Sequence, residues 1–331
     1  MHPETSDTPY ENLDPSLILD AVESLGLVCD GRQLALNSYE NRVYQIGLED
    51  AAPVVVKFYR PGRWSDAAIL EEHAFCAELV EEELSVVAPL SYNGATLHEY
   101  AGYRFSLFPR QGGHAPELAH QPSLRRLGQV LARLHNVGGR QHFQHRLTLT
   151  PQNYGHDAAE YLLKNNWLPA HLENIFADLT QRLLEEIEAA WQRAGNVRRI
   201  RVHGDCHPGN ILWRDDTAHF VDLDDCLTAP AIQDLWMLMA GEREEMQEQL
   251  GWLLEGYELF REFDPRELHL LEALRALRLI HYNAWLARRW HDPAFPRAFP
   301  WFEAPRHWED VINQLREQVA AIQEPPLEYL R

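Results

Sequence analysis

The apolar pattern of this chain changes period once, at Pro109–Gly113, and that change limits the folds open to it. Ahead of the break, strand-like runs separate polar turns: Leu34-Ala35-Leu36, the turn Asn37 to Asn41, Arg42 to Ile46, Val54 to Tyr59, and Tyr103 to Phe108. Shorter runs at Pro89–Tyr92 and Leu97–Tyr100 precede the last of these. A short amphipathic helix is predicted over Asp14–Leu25, and Ser65 is a suitable N-cap for a helix from about Asp66 to Glu82. Behind the break the periodicity is helical over residues 124–135, 158–164, 172–194, 234–239, 246–262 and 266–290. Strands first and helices afterwards, without alternation, predict an α+β chain of two lobes. Residues 1–108 form a small strand-rich lobe with one main helix, 109–113 a hinge, and 114–331 a larger, mostly helical lobe.

Composition narrows the function classes. A hydrophobic content of 45% with ten tryptophans supplies sizeable cores. A net charge of −20 argues against a nucleic-acid partner through simple electrostatics. It suits a cationic acceptor, although an acidic surface also serves only to keep a protein soluble. No run of about 18 apolar residues occurs, so no membrane span is expected. The start, Met1 to Asp7, has neither a basic nor an apolar region of the export type. Cys29, Cys76, Cys206 and Cys226 show no paired spacing, which points to a reducing cytoplasm. His203, Cys206 and His207 crowd too closely for a zinc site, and Cys206 and Cys226 read as small buried side chains.

The chemistry is concentrated in His203-Gly204-Asp205-Cys206-His207-Pro208-Gly209-Asn210 and in Asp222-Leu223-Asp224, which begins twelve residues after Asn210. Ile200–Val202 and Ile211–Trp213 read as short strands flanking a tight loop, and Asp215-Asp216-Thr217 as a hairpin turn that leaves Asp222 at a strand end. Phosphoryl transfer needs these parts: a carboxylate to take the acceptor hydroxyl's proton, here Asp205, and oxygen donors for Mg²⁺ on the nucleotide phosphates, here Asn210 and Asp222. Asp and Asn are also common turn residues, so the spacing alone is weak and the full string carries the argument.

Lys57 stands alone on an apolar strand. On the helix that follows, Ile69, His73, Cys76 and Val80 mark an inward face, and Glu72 falls on it. A carboxylate turned toward a core calls for a partner, and Lys57 is the natural one, with Glu71 the second choice. Such a pair presents the ammonium to nucleotide phosphates. The turn Asn37–Asn41 has no glycine, and its Ser38 is a candidate phosphate contact. Arg42, Arg60 and Arg63 add positive charge nearby, and Asp234 reads as a brace for the loop around Asp205.

The H-G-D-x4-N string, followed by a strand and apolar-Asp-apolar-Asp, resembles the catalytic loop of the aminoglycoside phosphotransferase and choline kinase group, relatives of the eukaryotic protein kinases. The resemblance implies a bilobal protein-kinase-like fold, with Asp205 as proton acceptor, Asn210 and Asp222 as Mg²⁺ ligands, and Lys57, Glu72 and Ser38 at ATP. Asp224 replaces the glycine of the protein-kinase D-F-G string, and its role, including any second metal, stays open. Nine residues between Asp224 and Asp234 leave no room for a regulatory activation segment. Further strings, among them Asn37 to Gln45, Val55 to Pro61, Gln233 to Leu238 and Leu286 to Trp290, resemble a bacterial serine/threonine-kinase branch of that group. That likeness implies a cytoplasmic monomer acting on protein Ser/Thr, autophosphorylation included, in a stress response. A kinase for small alcohols of the amino alcohol or aminoglycoside type is the rival expectation, and a non-catalytic pseudokinase the third.

Overall fold

The computed structural model describes residues 8–329, which divide into two compact units. The first takes the chain up to Glu117 together with His142–Arg146 and His207–Cys226; the second takes Leu118–Gln141, Leu147–Cys206 and the chain from Leu227 onward. The two short insertions therefore belong with the N-terminal residues, which a division at 109–113 does not anticipate.

The first unit begins with α1 (Pro15–Glu23), started by the Asp14 carboxylate, which accepts the N–H groups of Ser16 and Leu17 at 2.8 and 2.9 Å. Then come β1 (Cys29–Ala35), β2 (Arg42–Leu48), β3 (Val54–Phe58), α2 (Asp66–Glu81), β4 (His98–Tyr100) and β5 (Tyr103–Pro109). The strands form one antiparallel sheet in the order β1-β2-β3-β5-β4, so β3 lies at its centre. Ile46, Val56, Phe58, Phe105 and Leu107 pack with Ile18 and Val22 of α1 in its core. Pro89–Tyr92 forms no strand: Leu90 N–H meets Leu107 C=O at 2.7 Å and Tyr92 pairs only with Ala95. The later segment adds the hairpin β7 (Ile211–Arg214) and β8 (Thr217–Phe220). Its turn places Asp215 and Asp216 at φ 48° and 59°, the left-handed pair that a two-residue hairpin needs. Single bridges, Phe220 to Val86 and Trp213 to His114, tie the hairpin to the N-terminal chain.

The second unit is helical: α3 (Gln121–Gly138), α4 (Asp157–Lys164), α5 (Ala170–Ala194), α6 (Ile232–Leu235), α7 (Arg243–Tyr257), α8 (Leu271–Arg289), α9 (Ala294–Ala298) and α10 (Pro305–Ala321). The helix expected over 234–239 is α6 continued by a 3₁₀ turn at Trp236–Leu238, and the one expected from 266 starts with a 3₁₀ turn at Pro265–Leu270. A π-type turn, Gln152–His156, leads into α4. Helices α3 and α7 approach so closely that a Cβ on Gly128 would run into Leu253 O and one on Gly256 into Arg125 O. Two short strands, β6 (Ile200–Val202) and β9 (Leu227–Ala229), pair antiparallel. The sequence gives no sign of β9, whose three residues are too few to show alternation, and the flanking strands β6 and β7 do not pair with each other.

Candidate active site

Lys57 sits on central strand β3, buried, with its Nζ 3.5 Å from Glu72 Oε1, 3.3 Å from Asp224 Oδ1 and 3.6 Å from Asp222 Oδ1. Burial alone would favour the neutral amine, but the carboxylates of Asp224, Glu72 and Asp222 more than offset it and hold the pKa well above the usual lysine value. Glu72 is only 2% exposed and takes a second cation, Arg146, at 2.7 Å. Glu71 points elsewhere and accepts the N–H groups of Gln144, His145 and Arg146 at 2.5, 2.8 and 3.1 Å, which holds residues 142–146 against α2. One expectation about α2 fails. Val80 is 47% exposed and Leu79 is buried in its place, since the inward stripe shifts by one residue in the last turn.

Asn210 and Asp222 flank the open end of the β7–β8 hairpin, where Val221 N–H donates to Asn210 C=O at 3.0 Å. Asp222 has φ 57° and ψ 63°, a left-handed conformation that Asp tolerates better than most residues. Its carboxylate is 56% exposed. An amide oxygen and an accessible carboxylate are the hard donors that Mg²⁺ takes when phosphate and water complete its shell, so the donor set fits that ion. Asp224 is different. It is buried, accepts from Asn41 Nδ2 at 2.9 Å and Lys57 at 3.3 Å, and forms an ion pair with Arg63. Burial would raise its pKa, yet Arg63, Lys57, Arg146 and the Asn41 amide keep it below the usual carboxylate range. Its oxygens are engaged by the protein, which makes it a structural anion.

The turn after β1 carries Ser38, whose hydroxyl donates to Asn41 C=O at 3.0 Å. Glu40 lies 3.7 Å from Arg60 and 3.8 Å from Arg63, and Asn41 Oδ1 accepts Arg60 N–H at 3.1 Å. This glycine-free turn is therefore pinned through Asn41 to the carboxylate two residues beyond Asp222. Arg63 and Arg146 are the residues that sequence reasoning undervalued. Arg63 stood among three nearby arginines with nothing to single it out, and Arg146 lies in an irregular segment 74 residues from its partner Glu72.

Asp205 follows β6 in the second unit. Its loop is held by buried Asp234, which accepts the N–H groups of His203 and Gly204 at 2.8 and 2.9 Å, and by Gln233, which donates to Gly204 C=O at 2.8 Å. Gly204 has φ 87°, open to glycine and strained for other residues. Asp234 also takes His135 Nε2 at 3.1 Å, while Tyr257 OH lies 2.8 Å from His135 Nδ1; burial keeps that imidazole neutral by lowering its pKa. The Asp205 carboxylate, 23% exposed, accepts from Arg278 Nη1 of α8 at 2.6 Å. Cys206 and Cys226 are buried and burial raises both thiol pKa values, so neither is poised to react.

The first unit thus carries a lysine held between carboxylates on a sheet and two oxygen donors at a hairpin end, and the second carries a braced loop aspartate. Residues 32–271 match the phosphotransferase enzyme family, and the chain belongs to that family. Among its relatives, stress response kinase A of Escherichia coli (strain K12) is 44% identical over 319 residues, 96% of either chain. Serine/threonine protein kinase RdoA of Salmonella typhimurium (strain LT2) is 43% identical over the same share of each. Solved structures agree on the kinase-like α+β fold. Amicoumacin kinase hAmiN in complex with AMP-PNP, Ca²⁺ and Ami superposes with a TM-score of 0.74 at 19% identity, over 100% of this chain and 98% of that one. The microcompartment-associated aminopropanol kinase gives 0.67 at 16% identity, over 94% and 97%. The protein is thus a phosphotransferase enzyme. Among the described residues, no helix is long and apolar enough to cross a membrane.

Proposed function

We propose that this enzyme transfers the γ-phosphoryl group of ATP to serine and threonine hydroxyls of proteins, itself included, as a cytoplasmic monomer in a stress response. In this reading Asp205 orients the acceptor hydroxyl and accepts its proton, which matters less than positioning because the transition state is loose. Lys57, kept charged and fixed by Glu72, reaches the α- and β-phosphates, and the turn at Ser38 lies over them. Asn210 and Asp222 would hold Mg²⁺, which neutralises charge on the phosphates when bound. The observation that carries the reading is the Lys57 ammonium within 3.6 Å of both Glu72 and Asp222, because a buried cation beside a half-exposed carboxylate is what a nucleotide phosphate and its metal require. The relatives' names, which speak of serine/threonine protein kinase and stress response, support the acceptor and the role.

A second reading keeps the chemistry with a small alcohol as acceptor, and the aminopropanol kinase among the structural neighbours favours it. Transfer of labelled γ-phosphate from ATP with Mg²⁺, by wild type and Asp205→Asn, separates the two. Label on protein Ser/Thr that disappears in the variant is expected. Label on small alcohols alone would replace the protein-acceptor reading, and no turnover on any acceptor would leave a binding module.

A further inference from the structure

We infer that Arg278, on a face of α8 shared with Arg275, Tyr282, Trp285 and Arg289, both fixes Asp205 and selects acceptor hydroxyls flanked by carboxylates. This rests on the protein-acceptor reading and narrows it to a substrate class.

The five residues recur at i, i+3, i+7, i+10 and i+14, one stripe along the helix, and all are partly exposed, whereas Leu274, Leu277, Ile280 and Ala284 beside them are buried. A helix face that only meets water carries mobile polar side chains. Here the side chains are held in place. Arg275 lies 5.7 Å over the Trp236 ring and donates to Met239 C=O at 3.1 Å. Tyr282 and Trp285 stack at 5.8 Å with 14° between their planes, Arg289 covers Trp285 at 5.1 Å, and Phe295 meets the indole edge-on at 5.1 Å between ring centroids. Ordered aromatic and guanidinium groups of this kind lose little freedom on binding and dominate recognition surfaces.

Arg278 joins this stripe to the chemistry. It spends Nη1 on Asp205 at 2.6 Å, yet its side chain is 42% exposed. A guanidinium has five N–H donors in a planar fork, so one carboxylate does not exhaust it. An acceptor whose hydroxyl reaches Asp205 must place its neighbouring groups beside that fork. A carboxylate there gains a charge-assisted bond, while an ammonium meets a like charge. The stripe carries three arginines, of which Arg275 also pairs with Glu272 at 3.4 Å and Arg278 with Asp205, within a chain whose net charge is −20. Arg278 is a positioning residue toward Asp205 and a specificity residue toward the acceptor.

The test uses the full chain with ATP and Mg²⁺ and serine peptides that differ only in having Glu, Ala or Lys beside the serine. Wild type should favour the Glu-flanked over the Lys-flanked peptide by about tenfold or more in kcat/KM, the scale of one charge-assisted bond. Arg278→Gln should erase that preference and lower kcat on all peptides, because Asp205 is no longer held. Arg278→Lys should restore part of the preference but not kcat, since a point charge does not reproduce the fork. Trp285→Ala should raise KM for every peptide, and unfolding midpoints confirm that the variants fold. Equal or Lys-preferring kcat/KM in wild type overturns the inference and leaves the protein-kinase reading intact. Turnover of small alcohols with no peptide phosphorylated removes both.

Discussion

Asn41 donates its side-chain amide to Asp224 at 2.9 Å across 183 residues of chain. The bond links the turn after β1 to a carboxylate that Lys57 and Arg63 also grip, while Arg146 donates to the Asp224 main-chain carbonyl at 2.5 Å. Asp222 and Asp224 thus differ in kind although one residue separates them. The first is half open to solvent and available to a ligand, and the second is enclosed by donors.

Replacing the two should therefore give opposite phenotypes. Asp224→Ala leaves Lys57 and Arg63 buried without their shared counter-charge, and should lower stability by about 3–5 kcal/mol in urea unfolding. Asp222→Asn keeps a residue that tolerates the left-handed backbone, and should stay within about 0.5 kcal/mol of wild type while turnover is lost. Equal destabilisation by both would contradict the division of roles.

Asp234 anchors the loop of Asp205 through two main-chain N–H groups and His135. Asp234→Ala strands these buried donors, so a loss of about 2–4 kcal/mol is expected together with a fall in kcat. Asp234→Asn retains one acceptor oxygen and should lie between. A variant with wild-type kcat and midpoint would show that the loop is braced otherwise.

The contact of α3 with α7 leaves no room for a methyl group at Gly128. Gly128→Ala must push the helices apart against backbone atoms, and should cost about 1–3 kcal/mol despite the better helix propensity of alanine. A raised thermal midpoint would be inconsistent with this packing.

Glu267 supplies a pH dependence away from the site. It is buried beneath the start of α6, accepts Ile232 N–H at 2.8 Å, and its pKa is pushed up to about 7, chiefly by burial. Between the ordinary value of 4.5 and about 7 the folded chain holds a proton that the unfolded chain has released. This contribution is complete below about pH 4.5 and fades as pH rises through 7, by about 3 kcal/mol in all. Glu267→Gln should flatten the decline measured between pH 5 and 8.5, and an unchanged slope would assign it to other groups.

Much of this arrangement was legible because the pattern was local. An isolated lysine in Val54–Phe58 and an inward carboxylate on α2 point to each other across one turn of chain, and the two do pair. The Asp205 loop announces itself by its string of residue types. What escaped was non-local. Arg146 reaches Glu72 from a segment without periodicity, and Arg278 reaches Asp205 across 73 residues, so neither partner is visible in any window of sequence. Pairing of β6 with β9 was hidden for a simpler reason: three-residue strands are held by the hydrogen bonds of their surroundings rather than by propensity.

The first unit is stitched from stretches that end at Glu117, Arg146 and Cys226. On the ribosome its sheet emerges early, but Phe220, which bridges to Val86, and Trp213, which bridges to His114, are made some hundred residues later. At about 5–20 residues per second the nascent sheet waits roughly 5–20 s for them. The sheet of the first unit is thus unable to finish folding until residues some hundred positions further along have been translated, and a chain that stops before His207 lacks its closing hairpin.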